Sequence, residues 1–113
     1  MRRLLSVVVS VYNEEEALAQ FYQVTEGILN TISWDYELVF VNDGSRDQSL
    51  SILNHLADSN PKVKVVSFSR NFGHEAAMIA GIDYAKGDGI VCMDADLQHP
   101  PETLIPMYHL WEE

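Results

Sequence analysis

Asp94, Asp96 and Gln98 stand at alternate positions directly after the apolar run Gly89-Ile90-Val91-Cys92-Met93. In an extended chain alternate side chains share one side, so two carboxylates and an amide carbonyl there form a set of hard oxygen donors. Such a set suits a divalent cation, and a cation held this way clamps phosphates. An Asp-x-Asp is short, however, and aspartate is common in turns. Its weight comes from the elements that would position it.

Leu4 to Val11 is a valine-rich stretch broken only by Ser6 and Ser10, as expected of a strand buried on both faces. Asn13 and Glu16 have capping-box spacing, and the acidic run Glu14-Glu15-Glu16 suits the positive end of a helix. The helix is expected to run to about Ile32, with Leu18, Phe21, Tyr22, Thr25, Ile28, Leu29 and Ile32 at helical spacing. Tyr36 to Val41 reads as a second strand and Asn42-Asp43-Gly44-Ser45 as a turn. Ser45 with Gln48 is placed to cap a second helix carrying Leu50, Ile52, Leu53, Leu56 and Ala57. After the break at Asn60-Pro61, Val63 to Phe68 forms a third strand. The polar corner Ser69-Arg70-Asn71-Phe72-Gly73 then leads into a helix over about Glu75 to Ala85. Its small residues Ala76, Ala77, Ala80, Gly81 and Ala85 permit close approach to a sheet or a ligand. The fourth strand is Gly89 to Met93, and Pro101 suits the first turn of a last helix.

Strands alternating with helices imply right-handed crossovers and a parallel α/β sheet covered on both faces. In such sheets ligands lie beyond the carboxyl ends of the strands. Those ends carry Tyr12-Asn13-Glu14, Asn42-Asp43-Gly44-Ser45, Arg70-Asn71-Phe72-Gly73 and Asp94-Ala95-Asp96. Their convergence on one edge says more than any one motif.

Composition narrows the chemistry. The chain has 113 residues, 47% of them hydrophobic, enough for one domain with a modest core. Its 17 acidic against 7 basic residues argue against nucleic acid, whose affinity rests on Lys and Arg. An anionic small ligand stays open if a metal supplies positive charge. The single cysteine, Cys92, excludes an intrachain disulfide and reads as a small buried hydrophobe. No segment reaches the roughly 18 apolar residues of a membrane span, and the chain as given reads as soluble and cytoplasmic in character.

The first strand–helix turn lacks the Gly-x-Gly-x-x-Gly of a dinucleotide cradle, and there is no Gly-Lys-Ser/Thr phosphate loop. Phosphates would therefore be held through a metal at Asp94, Asp96 and Gln98. Asp43 can accept hydrogen bonds from a base or ribose, or serve as a turn residue. Tyr12 can stack on a base, or cover the sheet edge. His74 reads as structural, and His99 as a solvated loop residue.

Four segments then fit one pattern: Ser6-Val7-Val8-Val9-Ser10-Val11-Tyr12-Asn13-Glu14-Glu15; Phe40-Val41-Asn42-Asp43-Gly44-Ser45-Arg46-Asp47; Ser69-Arg70-Asn71-Phe72-Gly73; and Asp94-Ala95-Asp96-Leu97-Gln98-His99-Pro100-Pro101-Glu102. In this order they resemble the family 2 glycosyltransferases, most closely the branch making dolichol-phosphate mannose and polyprenyl-phosphate sugars. The resemblance implies a GT-A fold (a Rossmann-like nucleotide-diphospho-sugar transferase sheet), a UDP- or GDP-linked sugar as donor, and Mg²⁺ or Mn²⁺ at the diphosphate. Position by position, it implies that Tyr12, Glu14, Val41 and Asp43 border the nucleotide and that Asp94 and Ala95 line the ribose and phosphates. Asp96 and Gln98 match the metal ligands, with Asp94 as a third, and Asp96 carries the catalytic role through the metal. The family usually has proline at Ser10, where serine loosens the first turn beside the nucleotide, and many relatives have lysine at His74.

The implied reaction inverts the anomeric centre, the metal offsetting charge on the departing nucleoside diphosphate. A lipid-phosphate acceptor is already ionised at neutral pH, whereas a sugar hydroxyl on a glycan would need a carboxylate base. The resemblance makes residues 1–113 the donor half of a longer enzyme. The acceptor half and any membrane helices would lie beyond, placing the whole protein at the cytoplasmic side of a membrane. It also implies the strand order 3-2-1-4, with the Gly89–Met93 strand at an open edge where a second copy could pair. A non-catalytic nucleotide-binding or interaction module on the same fold is the competing reading. A phosphoacceptor receiver domain is excluded, since the third strand ends in Ser69-Arg70-Asn71 without the required aspartate.

Overall fold

The first strand, β1 (Leu4–Val11), is buried along its whole length apart from its first residue, as an apolar run flanked by strands on both sides must be. The structure, a computed structural model, describes residues 3–95. After β1 come α1 (Leu18–Leu29), β2 (Asp35–Asn42), α2 (Ser49–Ser59), β3 (Val63–Ser67), α3 (His74–Tyr84) and β4 (Gly89–Asp94). The four strands form one parallel sheet in the order β3-β2-β1-β4, as the resemblance implied. The last helix expected from Pro101, together with Asp96, Gln98 and His99, lies outside the described residues.

Helices α1 and α2 cover one face, where Leu18, Phe21, Leu29 and Leu53 pack with Leu5, Val7, Val9, Leu38 and Phe40. Helix α3 covers the opposite face over Val8, Val39 and Val41. The small residues of α3 serve this contact. A Cβ on Gly81 would lie 2.3 Å from Val8 Cγ1 and 3.0 Å from Val41 Cγ2, so glycine lets the helix sit directly on the strands.

Beyond its last turn α3 is tied to the amino end of the sheet. Ser6 Oγ donates to Glu37 Oε2 at 2.6 Å, Lys86 N–H donates to the same oxygen at 2.8 Å, and Gly87 N–H donates to Ser6 Oγ at 2.8 Å. Three hydrogen bonds thus satisfy two buried polar side chains, which would otherwise be costly to desolvate.

Both helix starts differ from expectation. Helix α1 begins at Leu18 with no side-chain cap and ends at Leu29, short of Ile32. Helix α2 begins at Ser49, also without a side-chain cap. Asn13, Ser45 and Gln48 are occupied elsewhere: their bonds run between loops. Cys92 is also corrected. It is exposed, because α3 sits over β1 and β2 and leaves its face of β4 uncovered among the described residues.

Replacing Gly81 with alanine is expected to destabilise the chain by about 1–3 kcal/mol through overpacking. Adding Val8→Ala should recover part of that loss, by removing the methyl it strikes. Denaturant unfolding of the single and double variants tests this, and simple additivity of two losses would contradict it.

Candidate functional site

The pairing of β1 with both β2 and β4 brings the strand ends together. In register, Ser10 lies beside Val41 on one side and beside Asp94 on the other. Strand order reverses at this point, since the chain leaves β3, crosses over β2 and β1, and adds β4 on the far side of β1. A crevice of this kind is where ligands bind on open parallel sheets.

Two loops at this edge are laced together by polar bonds. Asn13 N–H donates to Ser45 Oγ at 3.0 Å, and Arg46 N–H returns to Asn13 Oδ1 at 2.8 Å. Glu14 N–H donates to Ser49 Oγ at 2.9 Å, Glu15 N–H to Asp47 Oδ2 at 3.2 Å, and Gln48 N–H to Glu15 Oε2 at 3.2 Å. The residues read as caps therefore serve as cross-braces, with Asn13 in the left-handed region at φ 52°. Burial alone would raise the Asp47 carboxyl, but hydrogen bonds from Ser49 and from the Glu15 backbone hold it below its ordinary value.

The third loop hangs on Asp43, which is 2% exposed. Its Oδ1 accepts from Phe72 N–H at 2.8 Å, and its Oδ2 accepts from Gly73 N–H and Asn71 Nδ2, both at 3.1 Å. Three of the roughly four acceptor positions of a carboxylate are thereby filled, leaving at most one for a base or ribose. Asn42 stabilises the same turn, accepting from Ser45 N–H at 3.2 Å and donating to Ser67 Oγ at 3.1 Å.

The other expected contacts divide by exposure. Tyr12 is exposed and Glu14 half-buried, so both reach the edge. Ser10 lies within β1 and not in a turn; it is 8% exposed, and serine there loosens no loop. Ala95 is buried as well. Val41 is fully buried beneath α3, packed with Val8, Val39 and Ala77, so what it can offer a nucleotide at this edge is its backbone. Strand β4 ends at Asp94, and Ala95 is already in a turn. Of the three alternate donors, Asp94 is the one within the described residues.

Asp94 itself has a partner not foreseen. His74, the first residue of α3, places Nε2 2.6 Å from Asp94 Oδ1. The two lie with Met78, Cys92 and Met93 around a cavity of about 210 Å³, opening beside the crevice. Partial burial pushes the Cys92 thiol up, away from thiolate reactivity. Neither the His74–Asp94 contact nor the loop bracing is visible as a local motif, for the paired residues are 20 or more apart in the chain. A histidine after the glycine that opens α3 was the only available hint. Among the described residues no group of three His, Cys, Asp or Glu side chains converges as a metal cage. At the end of β4 they bring a hard donor, Asp94, with its side chain 32% exposed.

The chain is 49% identical over 108 residues to an uncharacterized glycosyltransferase, YkcC, of Bacillus subtilis, covering 96% of this chain and 33% of that protein. It is 46% identical to a prophage bactoprenol glucosyl transferase homolog of Escherichia coli, covering 96% of this chain and 35% of the relative. A bactoprenol glucosyl transferase of Shigella phage SfV is 44% identical with the same coverage. The chain thus spans about a third of the length of these relatives. Among solved structures, Staphylococcus aureus TarS (residues 1–349) superposes with a TM-score of 0.77 at 24% identity, over 96% of this chain and 32% of that one. A Pyrobaculum calidifontis mannosyltransferase in complex with GDP-Man and Mn²⁺ gives 0.75 at 24% identity, over 92% and 31%. Both share the fold. The family model described as glycosyl transferase family 2 matches residues 6–113, and the chain belongs to that family.

Proposed function

We propose that this chain is the donor-binding part of an inverting glycosyltransferase that moves a sugar from a nucleoside diphosphate to a polyprenyl phosphate. The observation that carries this reading is the meeting of three braced loops and Asp94 at the β1–β4 crevice. Kinship with bactoprenol glucosyl transferases over 96% of the chain supports the lipid-phosphate acceptor.

In this reading Tyr12 and Glu14 border the base and ribose from the β1 side. Ser10, Val41 and Ala95 contribute backbone, and Asp43 shapes the wall between them. Asp94 faces the diphosphate. A hard, partly exposed carboxylate at the mouth of the crevice fits Mg²⁺ or Mn²⁺, with Asp96 and Gln98 completing the donor set. When bound, the cation supplies charge compensation to the leaving diphosphate. The chain's own groups orient the donor, and the bracing of the loops lets them do so without first being ordered. An ionised lipid phosphate needs no general base from this part of the protein. The whole protein would then work at the cytoplasmic side of a membrane, although no helix among the described residues is long and apolar enough to cross one.

Calorimetry should show GDP or UDP binding to the 113-residue chain only with Mn²⁺ or Mg²⁺, and at least tenfold weaker in Asp96→Ala. Binding that ignores the cation, or the substitution, would contradict the proposal. Sugar transfer by this chain alone is expected to be negligible, and measurable turnover would overturn its reading as a donor half.

Strand β4 has a neighbour only on its β1 side among the described residues, with Ile90 and Cys92 exposed. Light scattering of the chain should therefore show dimers or larger species as concentration rises. A strictly monomeric mass at millimolar concentration would refute pairing at this edge.

A further inference from the structure

The start of α3 is held from the turn that follows β2. Asp43 follows β2 directly, and its buried carboxylate accepts the backbone N–H groups of Phe72 and Gly73 together with Asn71 Nδ2. Its backbone carbonyl accepts from Asn71 Nδ2 as well, at 3.2 Å. Beside it Gly44, at φ 69°, lies so close to the loop that a Cβ would stand 2.2 Å from the carbonyl carbon of Arg70. Turn and loop are thus in backbone contact. Gly73, at φ 104°, then begins α3 without any side-chain cap, its own N–H already committed to Asp43. One residue later His74 meets Asp94.

The far end of α3 is anchored independently, by Gly81 on Val8 and by Lys86 and Gly87 on Glu37 and Ser6. Loosening the 70–73 loop therefore displaces the first turn of α3 and leaves the helix seated. That first turn carries His74. The geometry points to Asp43 as a positioning residue: it holds the 70–73 loop so that His74 reaches Asp94, and so sets the direction of that carboxylate at the crevice. The β2 end, beside the expected nucleotide wall, is in this way coupled to the β4 end, where the diphosphate is expected. The coupling itself stands on geometry, whereas its value for donor binding rests on the function proposed above.

Ring nitrogen NMR spectra of the chain test it at fixed pH. The chain has four histidines, and His74→Gln assigns the signal of interest. In the parent chain the His74 Nε2 resonance should differ from those of the other three, and Asp94→Asn should shift it to their range. Asp43→Asn, which keeps size but replaces one acceptor oxygen with a donor, should move it in the same sense. Asn71→Ala, at an exposed residue, should move it less, so that a folding defect in the first variant leaves the second to decide. A His74 signal that responds to Asp94→Asn but to neither of the others overturns the inference. Manganese affinity in the presence of GDP or UDP should fall about tenfold or more in His74→Gln, the size of effect typical when a partner of a metal-binding carboxylate is removed. Unchanged affinity would overturn the orienting role of His74. Coupled ring signals in a chain that binds no nucleotide would support the positioning and overturn the proposed function instead.

Discussion

Backbone hydrogen bonding between β1 and β4 governs the rest of this structure. After β3 the chain crosses back over two strands and pairs on the far side of β1, setting Asp94 beside Ser10. Had β4 continued outward from β3, Asp94 would lie a full sheet width from the loop after β1. The crossover also fixes which face α3 must cover. It is the face opposite α1 and α2, so the first turn of α3 arrives over the same strand ends that the other loops reach from behind. One pairing thus makes a crevice, and the right-handed crossover rule supplies its wall.

Rigidity at that edge comes from polar side chains facing backbone. Asn13, Ser45, Asp47 and Ser49 brace the first two loops, and Asp43 holds the third. Each bond contributes only about 1 kcal/mol net, but together they remove the freedom that a ligand would otherwise have to quench. None of these groups has to touch a ligand to matter. At the opposite end of the sheet, Ser6 and Glu37 hold α3 to the strands. The fold is stiff at both ends of α3, and the crevice inherits that stiffness.

Much of this was readable from residue order. The alternation of valine-rich runs with helical spacing yields the parallel sheet, because only the burial of strands on both faces accommodates segments like Leu4–Val11 and Tyr36–Val41. The gathering of polar clusters at strand ends follows from the same rule. What could not be read was the use to which each polar residue is put. Asn13 with Glu16 and Ser45 with Gln48 have the spacing of helix caps, yet two polar loops on adjacent strands can satisfy one another instead. Local spacing does not distinguish the two outcomes. Asp43 faces inward for the same reason: the donors that claim it lie about 30 residues later. Cys92 misled because an apolar strand normally lies under a helix on each side, whereas α3 sits over β1 and β2.

The β1–β4 crevice, with Asp94 at its mouth, is where we propose that a dication and a diphosphate meet. Anomalous diffraction from crystals of the chain grown with Mn²⁺ and GDP or UDP addresses it most directly. The expected result is a manganese peak within bonding distance of carboxylate oxygens at the end of β4, with the diphosphate on its other side and the base toward Tyr12. A nucleotide seated away from the strand ends, or a metal bound elsewhere while this crevice stays empty, would contradict it.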